Sequence, residues 1–155
     1  MKFFKLATLF LTLFSLQAAE VQITADKFFA DETKKLSVFD GNVKVIKEND
    51  KLTAKKVAIE FDDKKQPIRY IATGDAKANM IMNGKKYYAE AEKMTYEPSK
   101  NLYILEKKAF LHDIETDKKV YGDYIKVDQM SGHYEVDAKG GNPVKFIFKV
   151  EEHKK

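Results

Sequence analysis

The stretch LTAKKVAIEFDD, Leu52 to Asp63, decides the fold. Leu52 and Ala54 share one parity, whereas Val57, Ile59 and Phe61 share the other. Alternation with period two is the mark of a half-buried strand, but the phase slips between Ala54 and Val57. A slip of one residue would turn every later side chain to the wrong face unless a bulge or corner absorbs it. The stretch therefore predicts a strand that turns a corner beside a small residue.

The phrase recurs. It stands in ITADKFFADE (Ile23–Glu32), YYAEAEKMTYEP (Tyr87–Pro98) and VYGDYIKVDQM (Val120–Met130), with the small residue set at Ala25, Ala54, Ala89 and Gly122. Each unit has a second half: Phe39–Val45 corresponds to Ala72–Ala78 and to Leu105–Leu111. Repeats at this period mean units that stack, each covering the apolar face of its neighbour.

Other alternating runs follow the same style. Gly74, Ala76, Ala78, Met80 and Met82 keep one parity, as do Val144, Phe146, Phe148 and Val150. Between the runs lie turn signals such as Asn83-Gly84, Pro98-Ser99-Lys100-Asn101 and Gly140-Gly141-Asn142-Pro143, and the three prolines stand in or beside turns. The chain is predicted to be all-β, built from short antiparallel strands bent into a V-shaped body with its alternating apolar residues inside.

With 155 residues the chain has room for one domain, at most two. Its first 19 residues read as a secretory signal: Lys2 and Lys5, an apolar run from Leu6 to Leu16, then Ala18-Ala19 before Glu20. That run is too short to span a bilayer, which takes roughly 20 apolar residues. The expected organisation is a signal peptide over residues 1–19, a β-domain over 20–150 and a charged tail over 151–155. The alternative is that residues 3–19 stay in the membrane as an anchor. Of 28 basic residues, cleavage removes Lys2 and Lys5 and leaves 26 against 24 acidic ones. These charges are interspersed, which describes a solvated surface and not a nucleic-acid footprint. With no cysteine, the fold is held by hydrogen-bonded ladders and burial.

Enzymatic chemistry finds little support. His112, His133 and His153 have no second histidine at metal-ligand spacing, and Ser37, Ser99 and Ser131 lack a nucleophile-elbow context. Glu60, Asp62 and Asp63 enter a turn, where solvated carboxylates are ordinary. No catalytic residue, metal or cofactor is assigned.

Alternating apolar residues on an inner face are most simply a packed core. They can equally line a groove for an apolar ligand, and the soft lining of methionines favours a mobile apolar partner. The candidate lining residues are Val43, Val45, Val57, Ile59, Phe61, Met80, Met82, Met94, Tyr96, Ile125, Val127, Phe146 and Phe148. Lys44, Lys77 and Lys126 stand on the outward parity.

The repeated phrase, the pair Gly41-Asn42-Val43 and Gly74-Asp75-Ala76, and Tyr121-Gly122-Asp123 with the alternation after it resemble the LptA/OstA-like family of periplasmic lipopolysaccharide transport proteins. The likeness spans roughly Val21 to Val150. It implies a twisted open β-jellyroll, folded like a taco, that holds lipid A acyl chains in its groove and bridges inner-membrane and outer-membrane transport components of similar fold. The chain departs from the pattern in its third unit. Lys107 stands where the others have Gly41 and Gly74, and Glu92 where they have Phe28, Val57 and Ile125, which predicts polar groups at lining positions. The mature chain is short for the family, which implies fewer strands. Two other readings are an inner-membrane-anchored LptC-like partner of the same pathway and a ligand-free structural β-repeat protein.

Two unpaired edges are expected of an open sheet. Val144–Val150 at one edge and Val21–Thr24 at the other suggest head-to-tail pairing of copies by β-augmentation.

Overall fold

The computed structural model describes residues 19–152; residues 1–18, on which the expected signal peptide falls, and residues 153–155 of the expected charged tail lie outside the described residues. Ten strands are formed: β1 (Val21–Thr24), β2 (Lys27–Asp31), β3 (Leu36–Lys47), β4 (Asp50–Phe61), β5 (Pro67–Met82), β6 (Lys85–Glu97), β7 (Leu102–Asp113), β8 (Lys118–Asp128), β9 (His133–Asp137) and β10 (Lys145–Ile147). One 3₁₀ turn, Pro98–Lys100, is the sole helical element among the described residues. All strands belong to one antiparallel sheet of order β1-β3-β4-β5-β6-β7-β8-β10, with β2 also on β3 and β9 also on β8.

The predicted corner runs through every long strand. Pairing shifts between Asp40 and Val43 of β3, between Thr53 and Lys56 of β4, and between Thr73 and Ala76 of β5. It shifts again between Glu90 and Lys93 of β6 and between Glu106 and Ala109 of β7. The aligned breaks divide the sheet into two halves. In the first half, β1 and β10 flank the segments nearest Val43, Ala54, Ala76, Ala89, Ala109 and Gly122. In the second, β2 and β9 flank the rest. One core cluster takes side chains from both halves, Val43 and Ala76 from the first with Val57, Met94, Leu105 and Ile125 from the second, so the two inner faces close on each other.

Backbone geometry explains the corner residues. In β3 and β5 two residues stand against one of the neighbouring strand: Gly41-Asn42 against Lys55, and Gly74-Asp75 against Glu92. Both members of each pair have positive φ, +83° and +48° in either case, a region that glycine and asparagine or aspartate tolerate best. A Cβ on Gly74 would also stand 2.7 Å from the Lys55 Cβ. In the third unit Lys107-Lys108 takes the same conformation at +63° and +49° without a glycine.

The third unit also corrects the sequence register. Glu92 is the single corner residue, exposed, and is equivalent to Lys55 and Asp123. Met94 therefore occupies the place of Val57 and Ile125, and the small residue beside the corner is Ala91, not Ala89. Lys107 is likewise exposed at the outside of the bend. Neither departure puts a polar group on the inner face.

At the C-terminus the expected run over Val144–Val150 shortens to a ladder of three residues, Lys145–Ile147 against Lys119–Tyr121. β1 and β10 end the same half-sheet at opposite edges, and each is paired on one side only within the protomer.

Candidate functional site

Registers across the sheet place the inner face residue by residue. In the second half, Phe39, Val57, Ala72, Met94, Leu105, Ile125 and Val136 form one row across neighbouring strands, and Ile59, Tyr70, Tyr96, Tyr103, Val127 and Tyr134 form the next. In the first half the matching row is Ile23, Val45, Leu52, Ala78, Ala89, Leu111, Val120 and Phe146. These rows face one another across the corner.

Between them, over β3 to β7, lies a cavity of about 370 Å³. That volume falls in the range of roughly 300–1,000 Å³ usual for small-molecule sites. Its apolar walls include Val45, Leu52, Val57, Ala72, Ala78, Met80, Met94 and Leu105, and its aromatic wall is Tyr70, Tyr96 and Tyr103. Small side chains at Ala72 and Ala78 leave the space that larger residues would fill. At the rim stand Val21, Lys47, Asp50 and Lys51 on one lip, with Gln66, Pro67 and Pro98 on the other.

The three tyrosines are held by packing and by a polar clamp behind them. Tyr96 stacks on Tyr103 with centroids 4.5 Å apart and lies 6.1 Å from Tyr70. Burial raises the hydroxyls of Tyr103 and Tyr70 above the ordinary tyrosine range, and the neighbouring Tyr96 adds to both shifts. On the opposite face Arg69 donates to Glu60 at 2.6 Å and to Glu97 at 2.9 Å and 3.1 Å, which ties together the strands that carry Tyr70 and Tyr96. Hydrogen bonding to Arg69 holds the Glu97 carboxyl below the usual range.

Of the residues singled out from sequence, Val45, Val57, Met80, Met94 and Tyr96 line the cavity. Val43, Ile59, Met82, Ile125 and Val127 are inward but packed shut, with Ile125 2% and Val127 1% exposed. The interior is thus solid towards β8 and open towards β3–β6. Phe61 is half-buried against the core and outside the cavity lining. Phe146 lies on the inner row at the β10 edge and Phe148 beyond the strand; both are exposed, their rings 5.5 Å apart. Tyr70, Tyr103, Leu105 and Leu52 were missed. Tyr70 shares parity with Ala72, and Tyr103 with Leu105, so extending the second half-motif by one step would have found both. Lys44 and Lys77 share an outer row with Thr53, and Lys126 is on the outer face of β8.

Among the described residues no cluster of three His, Asp or Glu side chains could hold a metal ion. His112 Nε2 is 2.7 Å from Asp117 Oδ1, and Asp117 also pairs with Lys149 at 2.9 Å. This group lies away from the cavity and ties the segment after β10 to the turn before β8.

A protein-family model described as LptA/(LptD N-terminal domain) LPS transport protein matches residues 22–133. The chain belongs to this family. As a member of the LPS transport family it has its matched region running from β1 to the start of β9 and including every residue of the cavity wall except Val21. No curated protein matches the chain. Among solved structures it is similar to LptH of Pseudomonas aeruginosa, described as the LptA homologous periplasmic component of the conserved lipopolysaccharide transport device. That likeness has a TM-score of 0.71 at 18% identity and covers 84% of this chain and 96% of that one. It shows the fold: the open β-jellyroll that the family resemblance implied.

Proposed function

We propose that the protein is a periplasmic lipopolysaccharide-binding transport protein, exported by a signal peptide over residues 1–19, whose β-domain over residues 20–150 carries lipid A acyl chains between its two half-sheets. The observation that carries this reading is the open apolar cavity in a member of an LPS transport family. A structural repeat protein needs no such space, and close packing would ordinarily fill it.

The energetics suit a carrier. Burying an acyl chain of about a dozen methylenes is worth roughly 10 kcal/mol gross, at about 0.8 kcal/mol each. A membrane is equally apolar, so transfer between the two is near neutral and the lipid is not trapped. Such a groove supplies a path without a direction, and an energy-driven partner must supply the direction. Bridging to inner-membrane and outer-membrane components of similar fold would use the one-sided edges of β1 and β10. Copies of the chain would pair head to tail through the same edges.

Two tyrosines on β6 give the test. Tyr96 faces the cavity, whereas Tyr88 lies on the outer face in register with Asn79 and His112. A photoreactive phenylalanine analogue at Tyr96 is expected to crosslink lipopolysaccharide, and the same analogue at Tyr88 is not. Absence of adducts at Tyr96 in a folded variant would return the inner face to plain core.

A further inference from the structure

Charges that are interspersed along the chain are sorted by the fold. Register puts Lys44, Lys51, Lys77, Lys86, Lys119 and Lys145 on the outer face of the first half-sheet. Among the described residues, the sole carboxylate in the paired rows of that face is Glu90, and the Tyr88 hydroxyl donates to it. Two further acids border the face. Asp75, in the bend, stands 3.9 Å from Lys77, and Asp117 is taken up by His112 and Lys149. The other five lysines make no ion pair among the described residues.

The outer face of the second half-sheet has the opposite balance. One of its rows carries Asp31, Glu60, Glu97 and Asp128 against Arg69 alone, and its other two rows hold as many carboxylates as lysines. The cationic face is also apolar at its centre and lip. Phe110 lies 4.7 Å from Tyr121 and 6.2 Å from Tyr88, centroid to centroid. Ile147 is exposed beside them on β10, and Ile81 is exposed at the lip. Ile114 continues the parity of Phe110 and His112 into the turn, where it is exposed and its N–H donates to the Lys86 carbonyl at 3.0 Å.

We infer that the outer face of the first half-sheet docks on an anionic phospholipid bilayer, its lysines against the headgroup phosphates and its exposed isoleucines and Tyr121 at the boundary with the acyl chains. Charge complementarity selects the occupant, since six cations with one carboxylate among them meet an anionic surface. Exposed apolar side chains between those cations are the pattern of interfacial attachment, with lysine stems free to lie beside them. A second copy fits less well, because Glu60 and Glu97 of the acidic face are already bonded to Arg69. The cavity lies on the inner side of the half-sheet, so docking does not compete with its contents, and the β1 and β10 edges stay open.

The test uses the protein purified after export, its mass measured to show that no apolar leader remains, at a concentration where light scattering reports monomers. It is sedimented with vesicles of phosphatidylcholine alone and of phosphatidylcholine with phosphatidylglycerol in a two-to-one ratio. Wild type is expected to pellet with the mixed vesicles at least about tenfold more strongly than with the neutral ones, and salt to weaken this. Lys44→Gln/Lys77→Gln/Lys86→Gln is expected to lose most of that preference. Lys27→Gln/Lys56→Gln/Lys93→Gln, which removes the same charge from the outer face of the second half-sheet, is expected to keep it. Ile81→Ser/Ile114→Ser is expected to bind the mixed vesicles several-fold more weakly at unchanged charge. Equal pelleting of wild type with both vesicles would overturn the docking face, as would equal losses in the two lysine variants. Binding to neither vesicle, with self-association at higher concentration that only Lys44→Gln/Lys77→Gln/Lys86→Gln abolishes, would give the face to a second copy instead.

Discussion

Tyr96 and Tyr103 stack at 4.5 Å with their planes 21° apart, and the pair forms the wall of the cavity on the second half-sheet. Tyr103 is held neutral by burial, and so are Tyr70 and Tyr87 in lesser degree. Tyr88, on the outer face, is pushed up to about 12 by burial and by its hydrogen bond to Glu90.

These shifts define an alkaline limb of stability. A folded-state pKa raised above the unfolded value stabilises the protein fully below that unfolded value. For tyrosine this contribution is present below pH about 10 and is lost as pH rises through the folded value. Unfolding free energy is expected to fall from pH 10 towards 12. Tyr103→Phe, which keeps the ring, should flatten that fall. Denaturant titrations at pH 8, 10 and 11 check this, and an unchanged slope in Tyr103→Phe would show that its hydroxyl is not the group responsible.

The corner offers a backbone prediction. Gly74→Ala places a Cβ at positive φ and against the Lys55 stem, and is expected to destabilise by more than about 1 kcal/mol. Lys107→Gly relieves the same conformation where no glycine stands. The left-handed conformation costs a side-chain-bearing residue roughly 1–2 kcal/mol, partly offset by about 0.5–1 kcal/mol of glycine entropy. A gain of about 0.5–1 kcal/mol is expected, read as a thermal midpoint a few degrees higher. Loss of stability in Lys107→Gly would mean that the lysine side chain, not the backbone, secures the bend.

The corner was legible from the phase slip between Ala54 and Val57 beside a small residue, whereas the part played by the glycines at 41 and 74 emerged only from the structure. In the third unit two small residues compete for that place, and parity cannot separate Ala89 from Ala91. Both are small, both point inward and both are buried, so the register of the third unit slipped by two and Glu92 fell on a lining position. Inner and outer faces were legible from alternation alone. The extent of the open space was not, because it depends on which rows meet across the corner. Ile125 and Val127 read like Val57 and Met94, yet the first two are packed shut and the second two line the cavity. Tyr103 was hidden by the unbroken apolar run Leu102–Leu105, in which both parities look alike.

Core energetics separate the two kinds of inward residue. Ile125→Ala removes packed methylenes from a site 2% exposed and is expected to cost about 2–4 kcal/mol. Met80→Leu, at the cavity wall, keeps volume and should cost less than about 1.5 kcal/mol while changing lipid affinity. Urea melts of both variants decide this, and comparable losses would show that the cavity wall is as tightly determined as the core.

Acid should loosen the C-terminal segment before the rest. Hydrogen bonding to Lys149 first, and to His112 second, lowers the Asp117 carboxyl to about 2. A depressed folded pKa contributes stability that is present above the unfolded value near 4 and is lost as pH falls through about 2. Between those limits the contribution of the tie from Lys149 to the β7–β8 turn declines, and below about pH 2 the carboxylate is protonated and β10 is left with three paired residues. Hydrogen exchange is expected to rise at Lys145–Ile147 in Asp117→Asn at neutral pH. Protection unchanged from wild type would show that the ladder alone holds the strand.

That strand carries the last prediction, because β10 is the edge through which copies of the chain would pair. Phe146 sits on its inner face, in line with Val120, and is 54% exposed. At the far edge of the same half-sheet, β1 presents Val21–Thr24 without a charged residue to discourage pairing. Joining β10 of one copy to β1 of the next is a heterologous contact that need not close, so mass should grow with concentration and reach no fixed endpoint. Phe146→Asp places a charge inward on the joining strand and is expected to leave monomers at concentrations where wild type extends. Light scattering across a hundredfold concentration range measures this. A wild type that stays monomeric would leave both edges capped in solution. A Phe146→Asp variant that extends as wild type does would move the joint to β2 and β9, the other pair of free edges.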